Sequence, residues 1–322
     1  MTDAAIAGAR IAVIGGGLMG VGIAQVFAAA GHQVWVQEPN DEVRDNVIER
    51  VREGLTQCGQ DPTLAAHVRV TAILAEAVHA VDYVTEAAPE QLELKRAIFA
   101  DLIKHAPQDC ILASNSSVMP IGTIAMGLAT ADRIVGTHWW NPAALIPLVE
   151  VIQGAQTSDA TVATTIALLG SVGKKPVHIK KDVPGFVANR LQHALWREAI
   201  AMVADGICDA KTIDECVKNS FGLRLAVLGP LENADLIGLD LTRDIHRTII
   251  PELDRSDAPN PILDSCIASG KFGFKSGEGF QKWTPDEIAE LRTILANHLL
   301  KAHREREAWP QRSRIKLSSP AP

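Results

Sequence analysis

Four features of this 322-residue sequence have residue types and spacing that could do chemistry. The first is Gly15-x-Gly17-x-x-Gly20, with Leu18 and Met19 between the last two glycines. Glycines at these places permit a tight turn, a close backbone approach to a pyrophosphate, and close packing of a helix on a strand. Free N–H groups at the start of that helix then hold the anion. The second is Glu38, which follows about 20 residues later at the end of another apolar run, where a carboxylate accepts adenosine ribose hydroxyls. It would repel a 2′-phosphate, and no arginine adjoins it in the sequence, so NAD rather than NADP is expected. The third and fourth are His138 and Glu150. A histidine at the carboxyl end of one strand and a glutamate one connection later can form a base and its orienting partner. Each feature has a plainer alternative: a structural glycine turn, or a core histidine with a capping or surface glutamate.

These residues need elements to position them. Residues 10–14 form a short β-branched run, 18–30 read as a helix, and Val34-Trp35-Val36 as a second strand. Strand, glycine turn, helix and strand make a βαβ unit. Residues 41–77 read as mostly helical, broken near 59–62. Short apolar runs recur at 83–84, 110–113, 134–135, 148–152 and 177–179. That alternation predicts an α/β fold with a Rossmann-like, doubly wound parallel sheet. After Lys181 the texture changes: Val187, Leu191, Leu195, Ile200 and Val203 recur at helical spacing, and no convincing strand follows. Thr284-Pro285-Asp286-Glu287 reads as a capped helix start. The expected division is a Rossmann-like domain over 1–183, an all-helical domain over 184–308 and a frayed Pro/Ser-rich tail over 309–322. There is no internal repeat.

Composition narrows the class. Hydrophobic residues make up 47% and charged residues 21%, as in folded globular proteins. A net charge of −7 argues against nucleic acid as the main partner. Five scattered cysteines with no C-x-x-C pair suit reduced thiols, not a disulfide framework or a zinc site, and point to the cytoplasm. No apolar run approaches the roughly 18 residues of a membrane span, and the first ten residues do not read as a secretory signal. Signatures of serine hydrolases, zinc peptidases and P-loop enzymes are missing from the sequence.

From about Ile11 to Trp283 the sequence resembles the 3-hydroxyacyl-CoA dehydrogenase family. The matching blocks are the glycine loop, Glu86-Ala87 with Glu90 and Lys95, Ser114-Asn115-Ser116-Ser117, His138-Trp139-Trp140-Asn141-Pro142, Leu148-Val149-Glu150-Val151, and Pro184-Gly185-Phe186-Val187-Ala188-Asn189-Arg190. Gly229-Pro230, Gly270-Lys271-Phe272-Gly273 and Ser276-Gly277-Glu278-Gly279-Phe280 match as well. The resemblance implies that His138 is the base and Glu150 its partner. It implies that Ser117 and Asn189 hold the reacting oxygen and substrate, and that Glu90, Lys95, Asn141 and Lys275 contact the cofactor. It also implies a homodimer formed through the helical domain.

Two departures bear on the substrate. Acyl-CoA members carry a lysine-rich helical pair after the second strand, whereas residues 53–68 contain neither lysine nor arginine, with Gly54 and Asp61 near the usual CoA-binding places. The block 221–230 is also longer. It is similar to relatives acting on free small acids: gulonate dehydrogenase (the lambda-crystallin group), carnitine dehydrogenase and a pyridine-carboxylate dehydrogenase. Arg224 in that block is a candidate grip for a substrate carboxylate; a surface role or an interface ion pair is the alternative. Against this, the Gly277-Glu278-Gly279-Phe280 ending is typical of acyl-CoA members. The expectation is an NAD-dependent dehydrogenase of a small, CoA-free 3-hydroxy acid. A short-chain L-3-hydroxyacyl-CoA dehydrogenase and a non-catalytic, crystallin-like NAD-binding protein are the alternatives.

Overall fold

The computed structural model describes Ile6 and residues 8–308; the expected tail at 309–322 lies outside the described residues. The chain divides into two compact units, one running to Asn189 and resuming at Ala296, the other spanning Arg190–Leu295.

The first unit is built on eight strands. They are β1 (Ile11–Ile14), β2 (Val34–Gln37), β3 (Val68–Thr71), β4 (Tyr83–Glu86), β5 (Ile111–Ser114), β6 (Ile134–Trp139), β7 (Leu148–Ile152) and β8 (Lys175–Ile179). They form one sheet in the order β3-β2-β1-β4-β5-β6-β7-β8. The connecting helices are α1 (Leu18–Ala29), α2 (Asp41–Asp45), α3 (Val47–Gln57), α4 (Leu74–Val78), α5 (Leu92–His105), α6 (Ile121–Ile124) and α7 (Asp159–Ser171). Helices cover both faces, so β1, β4 and β5 are buried along their whole length, and β1 reads as a continuous apolar run. One core lies around Phe27, Val36 and Tyr83, the other around Phe99, Leu102 and Leu112. Filling either side chains' space with alanine, as in Phe99→Ala, would cost about 3–5 kcal/mol.

The sheet departs from the expected pattern in two places. β3 falls in the stretch read as helical: Val68-Arg69-Val70-Thr71 is four residues long, too short to declare itself beside two helical segments. β7 runs antiparallel to β6, while every other neighbouring pair is parallel. Only residues 140–147 separate β6 from β7. That is shorter than the dozen or so residues a parallel crossover needs, so the chain reverses instead.

The second unit is helical. Helix α8 (Ala188–Ala204) leads into it, and further helices follow at Ala210–Lys218, Gly222–Leu225, Pro230–Ile237, Leu239–Ile249 and Pro261–Ala268. Among the described residues no strand forms here beyond isolated bridges at Gly273, Glu278 and Lys282. The expected cap at Thr284 is present: Thr284 N–H donates to Glu287 Oε2 at 2.7 Å, and Glu287 N–H donates to Thr284 Oγ1 at 3.2 Å. It starts the helix Pro285–Ala308. No helix of the described residues is long and apolar enough to cross a membrane.

Candidate active site

In an open α/β sheet, ligands bind outside the carboxyl ends of the strands where the order reverses, here between β1 and β4. The glycine loop stands there. Gly15 takes φ +105°, and a Cβ on it would lie 2.9 Å from the Ala87 carbonyl oxygen that follows β4. A Cβ on Gly20 would lie only 1.8 Å from Gly15 O, so a side chain at either place would push α1 off the sheet. Gly17 faces open space and caps α1 without a side-chain partner, which leaves the first-turn N–H groups for an anion. Leu18 is exposed on the rim, and Met19 packs against the core. These residues fit the pyrophosphate and adenosine half of a dinucleotide.

Glu38 closes this site. Its Oε2 accepts the Gly16 N–H at 2.8 Å and its Oε1 accepts the Asn40 N–H at 2.9 Å. Although no arginine adjoins Glu38 in the sequence, the fold returns one to it. Arg44 in α2 donates from Nη1 to the Glu38 carbonyl at 3.2 Å and from Nη2 to Asp41 Oδ1 at 2.6 Å. Arg50 in α3 donates to the Gly16 carbonyl at 3.1 Å.

Behind the loop after β4 lies a buried charge network. Lys95 Nζ meets Glu86 Oε1 at 2.7 Å, the Ala88 carbonyl at 3.2 Å and Glu90 Oε2 at 3.4 Å. Ser114 Oγ donates to the second Glu86 oxygen at 2.7 Å. Lys95 and Glu86 side chains have no exposed surface, so the ammonium is committed to these oxygens and reaches a ligand only through Glu90. Glu90 in turn accepts from the Ser116 hydroxyl and from the N–H groups of Ser117 (3.0 Å) and Val118 (3.3 Å). Burial would raise the Glu90 carboxyl, but the Ser116 hydroxyl, the Lys95 charge and the two amides outweigh it and hold it below the usual carboxylate range.

His138 and Glu150 are direct partners across the antiparallel β6–β7 ladder. Opposed residues on such a ladder point to the same face, and Nδ1 of His138 lies 2.8 Å from Glu150 Oε2. An ionised carboxylate only accepts, so Nδ1 carries the hydrogen and Nε2 is left to take a proton. Both side chains are buried. The other Glu150 oxygen accepts the N–H groups of Val187 (2.9 Å) and Ala188 (3.0 Å) at the start of α8. Burial alone would raise the Glu150 carboxyl; the His138 bond and the two amides more than reverse this and keep it below the usual range. Phe186 makes that arrangement possible. It is wholly buried, takes φ +51°, and sets its ring 5.6 Å from the imidazole, while Trp140 packs at 5.1 Å.

Ser117 and Asn189 are also brought together, Asn189 Nδ2 donating to the Ser117 carbonyl at 2.9 Å. Asn189 directly follows the amides that hold Glu150, and the Ser117 amide rests on Glu90, so one run of bonds joins all four catalytic candidates. Asn141 is exposed at the start of the 140–147 connection. Lys275 and Arg224 lie in the second unit, both exposed and neither in an ion pair among the described residues.

Sequence reasoning did not find Lys174. It follows α7 and is nearly buried, over the Trp139 ring at 5.4 Å. Its ammonium donates to the carbonyls of Ala143, Ile146 (3.1 Å) and Ala144 (3.4 Å), all in the connection between His138 and Glu150. Burial, opposed by nearby Cys58, pushes it down to about 8.

Comparisons with known proteins identify the family. Residues 10–183 match the 3-hydroxyacyl-CoA dehydrogenase NAD binding domain, and residues 185–283 match the 3-hydroxyacyl-CoA dehydrogenase C-terminal domain. The chain is 36% identical over 306 residues to 5-formyl-3-hydroxy-2-methylpyridine 4-carboxylate 5-dehydrogenase of Mesorhizobium japonicum, covering 92% of this chain and 97% of that one. It is 35% identical over 294 residues to the mitochondrial hydroxyacyl-coenzyme A dehydrogenase of Homo sapiens, covering 85% and 91%. A crystal structure of a 5-formyl-3-hydroxy-2-methylpyridine 4-carboxylic acid 5-dehydrogenase, described as an NAD+ dependent dismutase, aligns with TM-score 0.87 at 34% identity, covering 94% of this chain and 100% of that one. The chain therefore belongs to the 3-hydroxyacyl-CoA dehydrogenase family, and it is an NAD-dependent oxidoreductase acting on a CH–OH group.

Proposed function

We propose that this enzyme reversibly oxidises the 3-hydroxyl of a small, CoA-free hydroxy acid to the ketone. His138 Nε2 accepts the hydroxyl proton while a hydride leaves the same carbon; in the reverse direction the imidazolium returns that proton to the carbonyl oxygen. NAD, when bound, supplies the hydride acceptor. Glu150 keeps the imidazole in the tautomer that leaves Nε2 open and stabilises the charge it gains. Ser117 and Asn189 hold the reacting oxygen and the substrate beside it. Gly15, Gly17, Leu18, Met19, Gly20 and Glu38 receive the adenosine and pyrophosphate, Glu90, Asn141 and Lys275 contribute further contacts, and Lys95 acts by fixing Glu90.

The observation that carries the CoA-free reading is the surface made by residues 53–68. They form the end of α3 and a tight turn over Pro62–His67, and they present Glu53, Asp61 and no lysine or arginine. The CoA phosphates would find no lysine or arginine of this stretch as a charge-assisted partner, a cation that comes near it being Arg304, whose Nη2 lies 4.0 Å from a Cβ built on Gly59. The guanidinium of Arg224, in no ion pair among the described residues, and the likeness to a dehydrogenase named for a free pyridine carboxylate support the same reading. The second reading, a short-chain L-3-hydroxyacyl-CoA dehydrogenase, is favoured by the likeness to the human enzyme and by the Gly277-Glu278-Gly279-Phe280 ending.

A panel of free 3-hydroxy acids and their CoA thioesters, followed by NADH absorbance, tests this. One free acid should show kcat/KM far above L-3-hydroxybutyryl-CoA, and Arg224→Ala should raise its KM severalfold, a loss of about 1 kcal/mol for a contact made by an exposed guanidinium. A better rate with the thioester and a silent Arg224→Ala would establish the second reading.

A homodimer through the helical unit belongs to the same proposal. On Leu239–Ile249, Leu241, Ile245 and Ile249 recur one turn apart and are all exposed, which leaves an apolar stripe for a second copy. The five cysteines are all free thiols, which supports a reducing compartment such as the cytoplasm.

A further inference from the structure

Lys174 is a buried cation that nothing in its own segment calls for. It directly precedes β8, is 5% exposed, and pairs with no carboxylate among the described residues. A buried charge without a counter-ion is costly, and departures of that kind concentrate at functional sites. An ammonium has three donors, and here all of them meet one segment. They reach the carbonyls of Ala143, Ile146 (3.1 Å) and Ala144 (3.4 Å), between His138 and Glu150. Those carbonyls converge because the connection turns tightly, with Pro142 O accepting the N–H groups of Leu145 and Ile146 at 3.0 Å each. The next residue, Lys175, donates its N–H to Pro147 O at 2.8 Å. Ala143 is also wedged against α1, where a Cβ on Gly22 would lie 3.1 Å from the Ala143 Cβ. The start of the connection is fixed by Asn115, whose Oδ1 accepts the Trp139 N–H at 2.9 Å.

The ammonium lies over the Trp139 ring at 5.4 Å, and successive strand residues face opposite ways. Lys174 and the His138 imidazole are therefore on opposite sides of β6, and any effect of one on the other runs through the backbone. The connection delivers that effect at Trp140, whose ring packs 5.1 Å from the imidazole. We infer that Lys174 is a positioning residue for proton transfer: by gathering three carbonyls of the 140–147 connection at one point, it holds Trp140 on His138 and keeps the imidazole aligned with Glu150. The inference rests on His138 as the base, not on which hydroxy acid it serves.

Lys174→Met keeps the length of the side chain and removes its donors. NADH formation is followed with L-3-hydroxybutyrate and with L-3-hydroxybutyryl-CoA. The imidazole is followed without substrate by heteronuclear NMR of the histidine rings, the His138 signals being those lost in His138→Ala. With whichever probe wild type turns over, kcat should fall about ten- to a hundredfold, the scale of a small misplacement at the reacting centre. NADH binding, which rests mainly on the glycine loop, should weaken far less. The Nδ1 proton shared with Glu150 should broaden or move upfield, and the ring-current shift from Trp140 should shrink. Lys174→Arg, which keeps charge and donors, should recover part of both. Lys174→Gln, with N–H donors but no charge, should show a smaller loss of the same sign and serves if the methionine variant is unfolded by circular dichroism. Unchanged kcat in a folded variant would overturn the inference. So would a loss of kcat with the His138 signals unmoved, the mark of a role in stability alone. A wild type inert toward both probes would count against the proposed reaction, and the imidazole spectra would then decide this inference by themselves: moved signals support it and unmoved ones overturn it.

Discussion

The two units bury their apolar residues very differently. In the sheet unit, strands such as β1 and β5 are buried from end to end, with Phe27, Tyr83, Phe99 and Leu112 enclosed. In the helical unit, Ala201 and Ile213 are the buried hydrophobic residues among those described, while Leu231 is 80% exposed and Leu223 71% exposed. A unit with its own enclosed core can hold a base and its partner to within tenths of an ångström. A unit whose apolar stripes are uncovered has surface to offer to a partner. The contrast predicts that chemistry and assembly can be disturbed separately.

The largest effect belongs to the sheet unit. His138→Ala should lower kcat by about 10²–10⁴ while NADH still binds, as read by steady-state kinetics beside fluorescence titration. Near-normal turnover would end the proposed mechanism. Glu150→Gln comes next, with a loss of about 10–10² in kcat, since an amide keeps the shape but not the charge. This variant also carries a pH test. The folded-state Glu150 pKa lies below the unfolded value, so its stabilisation is complete above about pH 4.3 and is lost as pH falls through the lower folded value. Thermal melts of Glu150→Gln should be flatter on the acid side than those of wild type.

The helical unit is probed by Leu241→Asp with Ile245→Asp. Light scattering after gel filtration should show a shift toward monomer, while NADH binding stays with the sheet unit. An unchanged mass would remove the stripe from the interface. The smallest effect concerns Lys174. Its folded pKa of about 8 lies below the unfolded value, so its buried charge costs stability at neutral pH, and that cost fades as pH rises from about 8 toward 10. Denaturant unfolding should therefore show wild type gaining about 2 kcal/mol relative to Lys174→Met over that range. Parallel curves would show that the carbonyls of the 140–147 connection fully compensate the buried charge.

Local patterns carried much of this molecule into view. The strand, glycine turn, helix and acidic strand end at 10–38 are legible because each signal lies within a few residues of the next. The Thr284 cap is legible for the same reason. β3 was hidden, since four residues after a helical stretch carry too little alternation to outweigh their surroundings. His138 and Glu150 were visible as types, but spacing could not separate a catalytic pair from a core histidine; the antiparallel turn that makes them partners depends on the short 140–147 connection. Lys95 is expected from the resemblance to contact the cofactor, and only the fold shows it buried on Glu86. Lys174 and Arg44 escape for one shared reason. Several of their partners are backbone carbonyls, and a carbonyl leaves no mark in a sequence.

The cross-strand pairing of His138 with Glu150 has a consequence for heredity. Ladder register, pinned in part by the short 140–147 connection, sets the two residues opposite each other. Substitutions between Trp140 and Pro147 that keep the length of the connection would therefore leave the proton-transfer pair intact. A single residue lost inside β6 would instead turn the imidazole to the other face of the sheet. Sequence change can thus collect in the connection while the geometry of proton transfer is kept by the ladder.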